Sequence, residues 1–216
     1  EAVESNKEES LKFLSELVKI PSINGSGAQG EEIAQEFLGK KLKEMGLKVD
    51  IFEPDPEELK KHPAFEMSRK MAEYGLGFKN RPMVVGVYKS SEGGESLLFN
   101  GHMDVMPVGP KELWEFEPFS GEVKNDLILG RGTADMKGGI VNQTFALKAI
   151  LDAGIELKGV VILESILDEE SSSNGTLSCL LRGYTADAGI CTEGTSNMIA
   201  PSQAGGIVYS VRVFGT

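Results

Sequence analysis

Apolar residues recur every three to four positions in two segments near the start of the chain, which predicts two amphipathic helices. The first helix presents Leu11, Phe13, Leu14, Leu17 and Val18 on one face, and the second presents Ile33, Phe37, Leu38, Leu42 and Met45. Gly46 is a suitable C-terminal stop for the second helix. Residues 138–153 are apolar almost all round and end before Gly154, so they predict a helix buried in the core.

Short apolar runs bounded by turn residues predict strands between these helices. The runs cover residues 48–52, 83–88, 96–100, 127–129, 159–166 and 188–191. Helices are also expected near residues 177–181 and, within the charged, proline-containing stretch 54–81, near residues 65–74. Because strands alternate with helices of this length, the pattern predicts an α/β fold, a three-layer sandwich around a mostly parallel mixed sheet.

Apolar and polar residues alternate from Gly205 to the end of the chain, which predicts a strand. We expect this strand to enter a second domain that lies outside the chain. The sequence also begins at Glu1 without a methionine, so we expect it to be a fragment of a longer protein.

The composition is that of an ordinary globular protein, with 40% hydrophobic and 25% charged residues. Asp and Glu number 33 against 22 Lys and Arg, a net charge of −11, and no long basic cluster occurs, which argues against nucleic acid or an anionic membrane surface as a partner. The apolar runs are too short for a membrane span. The two cysteines have no metal-binding spacing and fit a reducing compartment, so the expected location is the cytoplasm.

Chemically active side chains follow four of the predicted strands. In open α/β sheets ligands gather outside the carboxyl ends of the strands, so these positions are the first candidates for a site. After residues 96–100 come His102 and Asp104, after 127–129 comes Asp135, after 159–167 come Asp168, Glu169 and Glu170, and after 188–191 comes Glu193.

Each of these residues has an ordinary structural explanation when taken alone. His102 could be a hydrogen-bonded core histidine, Asp135 a helix cap, the acids at 168–170 a solvated loop and Glu193 a turn residue. Taken together, several carboxylates at one sheet edge would repel each other unless a cation neutralises them. One imidazole with several carboxylates suits a divalent transition metal such as zinc, cobalt or manganese.

Two pairs of residues add detail to this metal hypothesis. Asp104 lies two positions after His102, where its carboxylate could accept the second ring N–H and orient the imidazole. The neighbouring side chains of Glu169 and Glu170 diverge in an extended chain, so one could bind metal while the other acts as general base toward a metal-bound water. A metal ion together with a general base toward its bound water is typical of a hydrolase.

Four motifs in the chain resemble those of one enzyme family. They are Gly-His-Met-Asp-Val-Met-Pro at 101–107, Gly-Arg-Gly-Thr-Ala-Asp-Met-Lys-Gly-Gly at 130–139, Asp-Glu-Glu at 168–170 and Thr-Glu-Gly-Thr-Ser at 192–196. In this order they closely resemble the family of co-catalytic zinc metallopeptidases and deacylases that contains acetylornithine deacetylase, succinyl-diaminopimelate desuccinylase and carboxypeptidase G. The resemblance covers nearly the whole chain and implies a zinc-peptidase-like catalytic domain.

The resemblance also implies a dinuclear site that holds two zinc ions, with cobalt or manganese as alternatives. It implies a cis peptide bond between Asp135 and Met136. The roles that it implies place His102 and Glu193 on one metal and Glu170 on the other, with Asp135 bridging both, Asp104 orienting His102 and Glu169 acting as general base.

The implied reaction is hydrolysis of the amide bond of an N-acyl amino acid or small peptide, with a metal-bridging water as the nucleophile. Residues 1–205 would form the N-terminal part of the catalytic domain, and residues 206–216 would be the first strand leading into an absent lid or dimerisation domain. Family members carry further site histidines in the lid and near the C-terminus. We therefore expect the chain by itself to be inactive, and expect any homodimer of the intact protein to form through the lid domain.

Two other interpretations remain open at this point. The same pocket could belong to a non-catalytic module that binds a metal or an amino acid, although such a module needs no general base at Glu169. An acidic structural domain without a site is the third interpretation, and it predicts no metal uptake.

Overall fold

A computed structural model describes residues 1–67, 77–90, 93–202, 204–205, 209 and 211–215. The helices are α1 Ala2–Ser5, α2 Lys7–Val18, α3 Glu31–Glu44, α4 Pro56–Leu59, α5 Gly138–Asp152 and α6 Asn174–Leu181. The strands are β1 Lys48–Phe52, β2 Met83–Lys89, β3 Ser96–His102, β4 Glu122–Lys124, β5 Leu127–Leu129, β6 Val160–Ile166 and β7 Ala188–Cys191. Short 3₁₀ turns occur at Gly27–Gln29 and Lys111–Leu113. A turn at Thr133–Lys137, in which Asp135 and Met136 have non-helical backbone angles, precedes α5.

Five strands form the main sheet in the order β1-β2-β6-β3-β7. β3 runs parallel to β6 and to β7, while β2 is antiparallel to both of its neighbours. Four of the five strands therefore point in the same direction, which confirms the predicted mostly parallel mixed sheet. β4 and β5 form a separate two-stranded sheet.

Helices cover both faces of the main sheet. A side chain at Gly101 in β3 would lie 2.9 Å from Met136 and 3.0 Å from Ile140 at the start of α5. The preceding residue, Asn100, donates to the hydroxyl of Thr176 in α6 over 3.4 Å. Because adjacent residues of a strand point to opposite faces, α5 and α6 lie on opposite sides of the sheet. α2 packs on α5, α3 packs on β1 and β2, and α4 packs on α6, which completes the three layers.

Most of the predicted elements occur where the sequence pattern places them, and β1, β5 and β7 have the predicted bounds. The predicted inner face of the second helix is wrong at Ile33, which is 46% exposed. α3 instead buries Ala34, Leu38 and Leu42, whose spacing of four positions defines the side in contact with the sheet.

Two predictions fall partly outside the described residues. In the helix expected at 65–74, residues 65–67 are not helical and residues 68–74 lie outside the described part. In the strand expected at the C-terminus, residues 209 and 211–215 are exposed and belong to no sheet, and residues 206–208, 210 and 216 lie outside the described part. Within the described residues, no helix has the length and apolar character needed to cross a membrane.

One buried acid in the sheet lies apart from the predicted site residues. Glu164 in β6 is 2% exposed and accepts a hydrogen bond from Asn100 Nδ2 over 2.8 Å. Burial raises the pKa of Glu164 from 4.5 to about 7, although the hydrogen bond from Asn100 opposes this shift. The folded protein therefore favours the protonated form of Glu164 over its carboxylate form.

We expect the substitution Glu164→Gln to stabilise the protein at pH 8 and to have little effect at pH 4. The folded-state pKa lies above the unfolded value, so the wild-type protein loses stability as pH rises through about 7, whereas glutamine stays neutral. The difference in unfolding free energy between variant and wild type should grow by about 3 kcal/mol over this range, as measured by urea denaturation. The exposed Glu156→Gln substitution is the control, and an equal difference at both pH values would contradict the expectation.

Candidate metal centre

His102 is the last residue of β3, and its side chain is 1% exposed. Its Nδ1 lies 2.8 Å from the backbone carbonyl oxygen of Asp104. A carbonyl only accepts hydrogen bonds, so Nδ1 must carry a proton in this contact. In the neutral imidazole the lone pair therefore resides on Nε2, which is the arrangement of a metal-binding histidine.

Carboxylates from three separate segments surround Nε2 of His102. The distances from Nε2 are 3.0 Å to Oδ1 of Asp135, 3.4 Å to Oε1 of Glu193 and 3.6 Å to Oε2 of Glu169. Two sets of potential ligand atoms lie within 4.8 Å of one another, one from His102, Asp135 and Glu170 and the other from His102, Glu169 and Glu193. The structure thus brings five of the six residues with a predicted role into one cluster, with His102 common to both sets.

Strand order explains why three of these segments meet. β3 lies between β6 and β7 and is parallel to both, so the carboxyl ends of the three strands share one edge. His102 pairs with Ile166 at the end of β6, and Glu169 follows three positions later. Glu193 likewise follows two positions after Cys191, the last residue of β7.

Asp135 reaches the cluster by a different route from the one predicted. Its preceding strand, β5, belongs to the separate two-stranded sheet, so the rule for strand ends does not place Asp135. The turn Thr133–Lys137 carries it instead, and the Asp135–Met136 peptide bond within this turn is cis, as the family resemblance implied. Met136 is buried against Gly101 of β3, which fixes the turn on the sheet edge.

The start of α5 also positions the segment that carries Glu193. A side chain at Gly139 would lie 2.2 Å from the carbonyl oxygen of Thr192, so only glycine permits this approach. The hydroxyl of Thr192 donates to Oε1 of the buried Gln143 over 3.1 Å. One helix therefore fixes the positions of both Asp135 and Glu193.

Asp104 is fully buried, and its side chain lies between His102 and the backbone of Glu169 and Glu170. Its Oδ1 lies 3.7 Å from Nδ1 of His102, beyond hydrogen-bond distance, because the backbone carbonyl takes that position. Its two oxygens accept the backbone N–H groups of Glu169 over 3.4 Å and Glu170 over 3.3 Å. The predicted hydrogen bond from the second ring N–H of His102 to the Asp104 carboxylate is therefore wrong, because the backbone carbonyl of the same residue accepts it.

The charges in the cluster favour a bound cation. Burial by itself would lower the pKa of His102, but Glu193, Asp104 and Glu169 outweigh it and raise the pKa to about 10. Burial and then the charge of Asp135 raise the pKa of Glu170 to about 7. The cluster thus stabilises positive charge and resists further negative charge, which is the behaviour expected of residues that fit a divalent metal.

Comparison with known proteins agrees with this geometry. The model of the family described as peptidase family M20/M25/M40 matches residues 98–202, the segment that contains His102, Asp135, Glu170 and Glu193. The match covers 105 of the 216 residues.

Curated relatives and solved structures extend the likeness beyond residues 98–202. An N-formyl-4-amino-5-aminomethyl-2-methylpyrimidine deformylase of Bacillus subtilis is 35% identical over 213 residues, which cover 98% of this chain and 44% of the relative. A succinyl-diaminopimelate desuccinylase of Methylocella silvestris is 32% identical over 170 residues, covering 77% of this chain and 37% of the relative. The M20 family metallo-carboxypeptidase Sso-CP2 from Sulfolobus solfataricus is 26% identical with a TM-score of 0.66, over 85% of this chain and 37% of that structure. The chain spans less than half the length of these proteins.

Two buried residues beside the cluster were not anticipated from the sequence. Arg81 pairs with Glu31 at 2.9 Å and with Asp168 at 3.4 Å, directly before the Glu169 segment. Asn24 donates to the Asp104 carboxylate from a loop near the start of the chain. Their partners are distant in sequence, so no local pattern indicates these contacts.

We expect the protein to bind Zn²⁺ and the substitution His102→Ala to weaken binding at least about 100-fold, because it removes the nitrogen common to both ligand sets. Competition with a chromophoric chelator gives the affinity, and elemental analysis gives the stoichiometry. His62→Ala is the matched control, since His62 lies outside both sets. Undiminished binding by His102→Ala would show that the cluster is not the metal site.

Proposed function

We propose that the protein is a metal-dependent amidohydrolase, a deacylase or exopeptidase that cleaves the amide bond of a small N-acyl compound or peptide. The observation that carries this proposal is the convergence of three carboxylate-bearing segments on Nε2 of His102, within 3.0 to 3.6 Å. The M20 family match and the names of the relatives support the same reaction class, since a deformylase, a desuccinylase and a carboxypeptidase all act on amide bonds.

In this proposal two zinc ions occupy the cluster, and cobalt or manganese could replace them. His102 and Glu193 would hold one ion and Glu170 the other, with Asp135 between them. The membership of Glu170 in one ligand set and of Glu193 in the other supports two ions, although His102 belongs to both sets and Glu169 to the set with Glu193. The metal would supply Lewis-acid polarisation of the substrate carbonyl and a lowered pKa for a bound water.

Glu169 is the proposed general base. Its side chain is 41% exposed, so substrate and water can reach it. Burial raises the pKa of Glu169, His102 opposes this, and Glu193 raises the pKa further. A carboxylate of raised pKa is suited to accept a proton from the attacking water and to return that proton to the leaving amine nitrogen.

The substrate class follows from the relatives rather than from a pocket shape. Because the deformylase relative matches 98% of this chain, we extend the class from N-acyl amino acids and small peptides to N-formyl amines. Homodimer formation and a cytoplasmic location remain predictions.

We expect the substitution Glu169→Gln in the intact protein to lower kcat by about 10²- to 10⁴-fold without changing the zinc content, because glutamine keeps the shape but accepts no proton. The assay uses N-formyl, N-acetyl and N-succinyl amino acids and dipeptides with zinc-loaded protein. Glu156→Gln, an exposed change of the same kind, should leave turnover unchanged.

Two results would contradict the proposal. Undiminished turnover by Glu169→Gln would remove Glu169 from the reaction. Zinc binding by wild-type protein without hydrolysis of any substrate in the panel would favour the non-catalytic binding module.

A further inference from the structure

The Asp104 carboxylate has no contact with solvent, so its oxygens need hydrogen-bond donors from the protein. The backbone N–H groups of Glu169 and Glu170 supply two of these donors, at 3.4 and 3.3 Å. Both contacts are longer than an ordinary N–H···O bond of about 2.9 Å, so their geometry depends on how the carboxylate is held. The side-chain amide of Asn24 supplies a shorter contact to Oδ2 of Asp104.

Asn24 belongs to a loop that the backbone fixes firmly beside β3. Val105 N donates to Ser22 O and Asn24 N donates to Val105 O, both over 2.9 Å. The hydroxyl of Ser22 donates to the carbonyl of Met103 over 2.7 Å. Asn24 itself is 6% exposed, so its side chain has a defined position in the interior.

The amide group of Asn24 is suited to its two neighbours in only one orientation. A carboxylate accepts hydrogen bonds and does not donate them, so the NH₂ group must face Asp104. The carbonyl end, Oδ1, then accepts the hydroxyl of Ser171 over 2.9 Å. Asn24 therefore connects the end of β3 with the loop that carries Glu169 and Glu170. An aspartate at this position would oppose one carboxylate with another.

We propose that Asn24 is a positioning residue of the metal centre, which holds the Asp104 carboxylate against the backbone of Glu169 and Glu170 and so fixes the two glutamates relative to His102. This inference rests on the proposed function for its consequence in catalysis. The contacts themselves involve no metal and can be tested separately.

The first test measures hydrogen exchange by mass spectrometry for the peptide that contains residues 169–171, in the intact protein with chelator present. We expect Asn24→Ala and Asn24→Asp to accelerate exchange in this peptide at least about 10-fold. Asn125→Asp is the matched control, because it makes the same chemical change at an exposed position between β4 and β5, and it should leave the peptide unchanged. Equal exchange in wild type and both Asn24 variants would overturn the proposal.

The second test measures zinc affinity and the visible absorption spectrum of the Co²⁺-loaded protein. We expect Asn24→Asp to weaken zinc binding by about 10- to 100-fold and to change the cobalt spectrum, whereas the exposed Asn125→Asp should do neither. A role confined to stabilising the fold would lower the melting temperature and leave the affinity of the folded protein unchanged, which would overturn the proposal.

A double variant that swaps the side chains at positions 24 and 104 tests the direct pairing by rescue. In the double variant Asn24→Asp, Asp104→Asn the amide nitrogen at 104 takes the place of Oδ2 and can donate to the carboxylate at 24, while Oδ1 still accepts the backbone N–H of Glu169. The backbone N–H of Glu170, which Oδ2 accepts in the wild type, loses its acceptor. We therefore expect the double variant to recover part of the exchange protection that Asn24→Asp loses. A double variant no better protected than the worse single variant would overturn the direct pairing. Failure of wild type to bind zinc would refute the proposed function, while the exchange data would still decide the role of Asn24.

Discussion

Repulsion among carboxylates is the constraint on which this structure depends. Asp135, Glu169 and Glu193 come within 3.6 Å of one imidazole nitrogen, and Glu170 lies close to the same point. Without compensation such a cluster would separate or take up protons. The protein provides compensation through the positive charge that His102 can carry and through rigid attachment of each segment.

Rigid attachment is visible in the backbone around the site. Gly101 and Gly139 allow α5 to approach both the sheet and the segment before Glu193 more closely than any side chain would permit. Arg81 pairs with Glu31 in α3 and with Asp168, and so ties that helix to the start of the Glu169 segment. The helices on one face of the sheet and the loops at its edge therefore both hold the residues of the cluster in position.

Sequence periodicity was sufficient to predict much of this arrangement. The strands β3, β6 and β7 follow from their apolar runs, and the rule that parallel strands share a carboxyl edge then brings together His102, Glu169 and Glu193. Asp135 joins the cluster as well, but the rule for strand ends does not explain its position, since β5 belongs to another sheet. The contacts of Asn24 were beyond such reasoning, because they join positions 80 and 147 residues apart without any repeating pattern.

These separations have a consequence for the order of folding. β3 pairs with β6 across 64 positions and with the segment before β7 across 91 positions, so its neighbours on both sides are synthesised long after it. Long-range pairings of this kind form slowly, since a large loop must close before any contact compensates for the lost entropy. The cluster at the sheet edge therefore cannot exist in a partly folded chain that lacks β7. A cation that binds only the complete cluster would bind only the fully paired sheet. Its binding would therefore stabilise the native state relative to partly folded chains.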